Sequence, residues 1–147
     1  MNHKSRSYLA GTLLVIWGLP AVAVDYYKTS GNVAVYFGVI PSVLMGHSPE
    51  HPANIKHGAI SASTLQHHVV VAVFDTKTGA RIPDADVTAT VGETGVTPVT
   101  KKLESLSIEG KVSYGNFFRM TSPYNYRFTI TVRTQDRTAE FEFQHPR

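Results

Sequence analysis

The chain has 147 residues, no cysteine, and 14 basic against 11 acidic side chains, a formal charge of +3. Without cysteine no disulfide can staple the fold, and lipid attachment through a cysteine is closed as well. The basic residues, among them Lys28, Lys77, Arg119 and Arg133, are scattered rather than gathered into an aromatic-interleaved stripe, which excludes nucleic acid as an expected partner.

At the start, Lys4 and Arg6 precede an apolar stretch from Leu9 to Leu19 that is short and glycine-interrupted for a membrane span. Pro20 closes it, and Ala21-Val22-Ala23 has the small-x-small pattern of a cleavage site. Residues 1–23 are therefore expected to be a signal peptide, and the product to be periplasmic or secreted. Cleavage would remove two basic residues and no acidic one, leaving +1. No second apolar run follows, so no transmembrane segment is expected after signal removal. Residues 24–147 are enough for one core, and a single domain is the expectation.

The periodicity of this remainder is two. "NVAVYFGVI" is a first strand, and "HVVVAVFD" is a continuous apolar run suited to a central strand covered on both sides. Asp75 to Gly79 reads as a turn. In "ADVTATVG" Val87, Ala89 and Val91 alternate with Thr88 and Thr90, and Gly92 to Gly95 supplies the next turn. A strand around Lys102 to Ile108 and another in "KVSYGNFFRM" follow. "NYRFTITVR" sets Tyr126, Phe128, Ile130 and Val132 against Arg127, Thr129, Thr131 and Arg133; "TQDRT" has hairpin length, and "TAEFEFQ" repeats the alternation with Ala139, Phe141 and Phe143 inward. About seven strands without an amphipathic helix predict an all-β, immunoglobulin-like or prealbumin-like antiparallel β-sandwich. Most of the phenylalanines, with Tyr126, are core by this pattern, and Tyr124 or Tyr126 is a candidate corner contact.

Histidine is concentrated in one place. His47, His51, His57, His67 and His68 fall within 22 residues, and Met45 sits two before the first. Imidazole and thioether are the ligands that a cysteine-free exported protein offers copper; imidazole also serves zinc, nickel or iron, whereas hard oxygen-seeking ions would want more carboxylate than Glu50 alone. The spacing follows no fixed motif and lies in a proline- and glycine-containing connection. His67 and His68 are adjacent in a strand and must point to opposite faces, so one of them at most joins a site on a given face. The bland alternatives are exposed loop histidines, with one of the adjacent pair half-buried, or a surface that changes charge near neutral pH.

Side-chain catalysis has less support. The aspartates fall in turns or at strand ends, Glu140 and Glu142 share a solvent face, no serine occupies a nucleophile elbow, and Gly92 to Gly95 precedes no helix that could cradle phosphate. No enzyme is expected.

The succession "VAVYFGVIP", a His-containing connection, "HHVVVAVFDTKTGARIPDADVTATV", "LESLSIEGKVSYGNFFRM" and a Y-x-Y-x-F-x-I-x-V strand resembles bacterial periplasmic immunoglobulin-like proteins that bind copper or iron and serve iron-uptake permeases. Its most specific part is Tyr114-Gly115-Asn116 followed by Met120, similar to that family's H-Y-G-x-N-x-x-M strand. Two positions depart: Ser113 stands where the family has a histidine, and Leu106-Ser107-Ile108 stands in its methionine-rich stretch, so two usual ligands are missing. His57 in "NIKHG" roughly matches the family's acidic-and-histidine loop, with Glu50 displaced. The V-F-D-x-x-T-G-x-x-I-x-x-A-x-V run is also similar to exported sandwich modules used for binding or spacing.

Two readings follow. One is an exported metal-binding protein handling copper or iron through a His/Met site of His57, one of His67 and His68, and His47, His51 or Met45, with a membrane permease or exported protein as partner. The other is a non-catalytic exported sandwich that binds a protein partner without metal. Open edge strands would also allow a homodimer in either reading.

Overall fold

The alternation read from the sequence becomes eight antiparallel strands in the computed structural model, which describes residues 25–45, 65–121 and 125–145. In chain order they are β1 (Tyr27–Ser30), β2 (Val33–Pro41), β3 (Gln66–Asp75), β4 (Asp86–Glu93), β5 (Val99–Ile108), β6 (Lys111–Arg119), β7 (Tyr126–Arg133) and β8 (Thr138–His145). A four-residue helical turn, α1 (Ser42–Met45), follows β2. The sequence pattern supplies seven of these strands. The eighth, β1, is four residues long with one half-buried side chain, too short to carry a visible period. The expected signal segment, 1–23, lies outside the described residues, among which no helix is long and apolar enough to cross a membrane.

Spatial order runs β1-β2-β3-β6-β5-β4-β7-β8. It is one continuous ladder that folds into two layers because β5 serves both. Its first half, Val99 to Leu103, pairs with β4, and its second half, Glu104 to Ile108, pairs with β6. At the change of partner Asn116 of β6 donates its side-chain amide to the carbonyl of Lys102 at 2.8 Å, a side-chain substitute for a ladder bond. At the other extreme β1 comes against β8, with the Lys28 ammonium 5.6 Å from the Phe143 ring centroid, so the sandwich approaches a barrel.

Between the layers lies one apolar core of alternate residues, including Val33, Val35 and Phe37 of β2, Val69, Val71 and Val73 of β3, and Phe128, Ile130, Val132, Phe141 and Phe143 from the second layer. Phe37 spans it: its ring stacks on Phe143 at 4.7 Å and tilts against Phe128 at 4.8 Å. Each such side chain stabilises the fold by about 1.5–3 kcal/mol through burial alone. The "central" character expected of β3 holds, since it pairs with β2 along one edge and β6 along the other. Phe74 and Phe117 are half-buried outside the core; Phe74 meets Tyr36 edge-on at 5.4 Å, and Tyr36 lies 4.6 Å from Tyr27.

The turns form by the chemistry their residues carry. Asp75 accepts from the backbone of Lys77 and Thr78, each at 2.9 Å, and Gly79 takes a left-handed φ of 68°. The run continues to Ile82, which donates to Val73, and to Tyr114, whose hydroxyl donates to the Ile82 carbonyl at 2.7 Å and accepts from the Ala85 amide at 3.0 Å. Burial pushes that phenol upward from its ordinary value. Tyr126, offered as a corner residue, is buried and donates instead to the carboxylate of Glu93 at 3.2 Å; Tyr124 lies outside the described residues. In the β7–β8 hairpin Thr134 closes onto Arg137, and Asp136 takes hydrogen bonds from Arg137 at 2.8 Å and Thr134 at 2.9 Å.

These turn carboxylates define an acid transition. Hydrogen bonds from Arg137 and then Thr134 hold Asp136 down to about 2, and the Thr78 amide lowers Asp75. A carboxylate depressed in the folded state adds stability that is complete above its unfolded value and is lost as pH falls through its folded one. The share of stability that these carboxylates supply is therefore expected to be complete above about pH 4 and to be lost toward pH 2, so that D136N flattens the fall of the melting temperature between those values; melts recorded across the range check it.

Candidate functional site

The candidate residues gather at the end of the sandwich where β2 leads out and β3 returns. Pro41 is opposite His67 and Ile40 opposite His68, so the His-bearing connection leaves and re-enters the sheet beside the adjacent histidines. His47, His51 and His57 lie outside the described residues; Met45 ends α1, and its side chain also lies outside them.

His67 and His68 do occupy opposite faces. Val69, Val71 and Val73 set the inward side of β3, which places His67 toward the core, 6% exposed and opposite Phe118. His68 belongs to the outer face with Val70 and Ala72, yet it is only 2% exposed. The reason is a cradle. Its ring tilts against Phe117 at 4.8 Å between centroids, and its Nε2 and Cε1 lie 2.5 and 2.7 Å from where a Cβ on Gly115 would stand. Only a residue without a side chain leaves room for that imidazole. Leu106 closes the same space, its Cδ1 3.0 Å from that Cβ position.

One position further along the outer face of β6 is Ser113, opposite Leu106 and 6% exposed. Its hydroxyl accepts from Nη1 of Arg81 at 2.8 Å, and the same nitrogen donates to the Val112 carbonyl at 2.6 Å. The guanidinium carbon rests 4.9 Å from the Phe74 ring centroid. Ser113, Leu106 and His68 thus surround Gly115, with a fixed positive charge attached.

This neighbourhood gives a direct test of the ligand set implied by the family resemblance. Copper wants two or more soft or imidazole donors converging on one point. The outer face offers one imidazole, a leucine in place of a thioether, and a serine already engaged by an arginine. A metal does not fit there. Among the described residues no group of three or more histidine, aspartate or glutamate side chains is arranged to hold an ion.

Two clefts lie elsewhere. One of about 290 Å³, at the opposite end, is lined by Asp75, Ile82, Asp84, Asp136 and Arg137 among others, but Asp75 and Asp136 are committed to their own turns. Another of about 420 Å³ is lined by Glu93, Thr94, Tyr126 and Arg127 among others.

Solved structures of the same shape exist at low identity. A DUF4426 family protein from Pseudomonas aeruginosa PAO1 is 17% identical, with a TM-score of 0.64 over 82% of this chain and 94% of that one. A copper-bound variant of FetP from uropathogenic Escherichia coli is 10% identical, with a TM-score of 0.63 over 81% and 91%. A copper-bound variant of Campylobacter jejuni P19 is 9% identical, with a TM-score of 0.61 over 83% and 94%. The chain shares their fold. The resemblance stated from the sequence is borne out at that level, and the all-β sandwich with it. No protein-family model matches the chain, and no curated protein sequence matches it significantly.

Sequence reasoning missed three contributors. The motif contains Gly115 and Asn116 but does not show their tasks, and nothing local marks Arg81, whose partner, Ser113, lies 32 residues away. Met120 and His145 also belong to the histidine-bearing end: Met120 is buried and its amide donates to Leu65, while His145 is opposite Tyr126.

The cradle makes a testable claim. In Gly115→Ala the new methyl group would overlap the His68 ring, which must leave its seat. Unfolding by urea should show a loss of about 1–3 kcal/mol, and the His68 imidazole resonances should move.

Proposed function

We propose that this protein is an exported, non-catalytic metal-binding protein that handles copper, with its ligands drawn from the connection between β2 and β3. His47, His51 and His57, with Met45, would supply imidazole and thioether groups, joined by one of His67 and His68. The observation that carries the reading is the pairing of Pro41 with His67 and Ile40 with His68, which fastens both ends of a histidine-rich segment beside two buried histidines. A loop can deliver ligands to one point only if its ends are held, and here the sheet holds them.

Copper is preferred to iron because FetP and P19, which share the fold, occur in copper-bound form. Periplasmic residence is supported by the leader-like pattern of residues 1–23 and by a FetP structure obtained from protein expressed in the periplasm. Service to an iron-uptake permease would follow from the resemblance read in the sequence. A pairing of two copies through an open edge strand is compatible with it.

A second reading has its own observation. The outer face carries a ladder of exposed or half-buried aromatic rings, Tyr27, Tyr36 and Phe74, and a closed arginine–serine contact where the resemblance implied ligands. Both suit a sandwich that binds a protein partner without metal.

Copper titration of residues 24–147 separates the two. Saturation at a hundred times the dissociation constant should stabilise the fold by about 2.7 kcal/mol, read as a rise in melting temperature. Replacing His47, His51 and His57 together by alanine should abolish the rise without lowering the metal-free melting temperature. Binding should weaken below about pH 6, since imidazole must be neutral to coordinate. No rise with copper in the unaltered protein would leave the partner-binding reading.

A further inference from the structure

We propose that Arg81 takes the place of a cation on the outer face of β3 and β6, so that this face is closed to metal by a built-in guanidinium. The inference concerns this face alone and holds whether or not the β2–β3 connection binds copper.

Four observations converge on it. Arg81 Nη1 is held by two acceptors at once, the Val112 carbonyl at 2.6 Å and the Ser113 hydroxyl at 2.8 Å. The guanidinium is seated over the Phe74 ring, which favours a cation through the electron-rich face of the aromatic. Ser113 is buried, so the contact is shielded from bulk water and screened less than a surface pair. Next to it the space above Gly115 is filled by the His68 imidazole and the Leu106 side chain.

Those side chains are the outline of a ligand cluster with its cation replaced. His68 is an imidazole already aimed at Gly115; Leu106 and Ser113, opposite each other on β5 and β6, would complete a three-donor set if they were methionine and histidine. A copper ion placed among them would face the positive charge of Arg81 at close range in a half-buried setting, and the two cannot share the site. Arginine meets this role better than lysine would, because its flat guanidinium lies over the Phe74 ring while one of its nitrogens serves both the carbonyl and the hydroxyl.

The test uses residues 24–147 and counts copper retained after desalting, by elemental analysis, alongside electron paramagnetic resonance. The unaltered protein sets the baseline. L106M/S113H, with Arg81 kept, is expected to hold no copper beyond it. L106M/S113H/R81Q is expected to hold one further copper ion per chain, with a new nitrogen-coupled signal that His68→Ala removes. Extra copper in the double variant would overturn the proposal, as would a folded triple variant that gains none. Should the triple variant fail to fold, R81Q and R81K carry the test by thermal melting. Both are expected to melt below the unaltered protein, R81Q by the greater shift, and melting curves that coincide would show that Arg81 holds no such seat.

Discussion

The structure depends on one strand changing partners. β5 leaves β4 after Leu103 and joins β6 from Glu104 onward, and this is what turns a single eight-stranded ladder into two facing layers. A strand that changes sheets gives up ladder bonds at the break, and a backbone carbonyl freed there takes another donor. Asn116 supplies one with its side-chain amide on Lys102, and its own oxygen accepts from the Phe117 amide at 2.7 Å. Lys101 adds a bond across the same seam, donating to the Phe117 carbonyl at 2.7 Å.

The three residues Tyr114-Gly115-Asn116 can be understood from that seam outward. Tyr114 faces inward and pins the Ile82 to Ala85 stretch with its hydroxyl. Gly115 faces outward and gives up its side-chain volume to the His68 ring. Asn116 closes the change of sheet. A motif that the sequence shares with the family it resembles therefore has a structural explanation here, and its presence argues for the shared scaffold more than for a shared ligand set.

Most strands were legible because their one-sided burial writes a period of two into the sequence, as in Tyr126 to Arg133 and Thr138 to His145. The opposite facing of His67 and His68 was legible for the same reason. The burial of His68 was not, since an outward-facing position in a strand ordinarily reads as solvated, and what covers this one comes from β5 and β6, 38 to 49 residues on in sequence. The short β1 and the start of β5 at Val99 escaped because exposed residues dominate both. The contact of Arg81 with Ser113 joins a turn to a strand across 32 residues, and nothing local in either segment announces it. His47, His51 and His57 were conspicuous in the sequence, yet composition alone carries no information about convergence.

The outer face carries its chemistry apart from the apolar core, which does not run through it. Val69, Val71 and Phe118 hold the inward side of the same two strands whose outward side carries His68, Ser113 and Phe117. Alternation thus separates the selection on packing from the selection on chemistry, residue by residue along one strand. A positive centre on that face can be an ion held by several donors or a guanidinium attached through the chain, and the two differ in what they require. An ion needs a supply and several converging ligands, whereas Arg81 needs a carbonyl, a hydroxyl and a ring, all of which β3 and β6 already provide. With the cation covalently attached, the face keeps its charge under every condition in which the protein is folded.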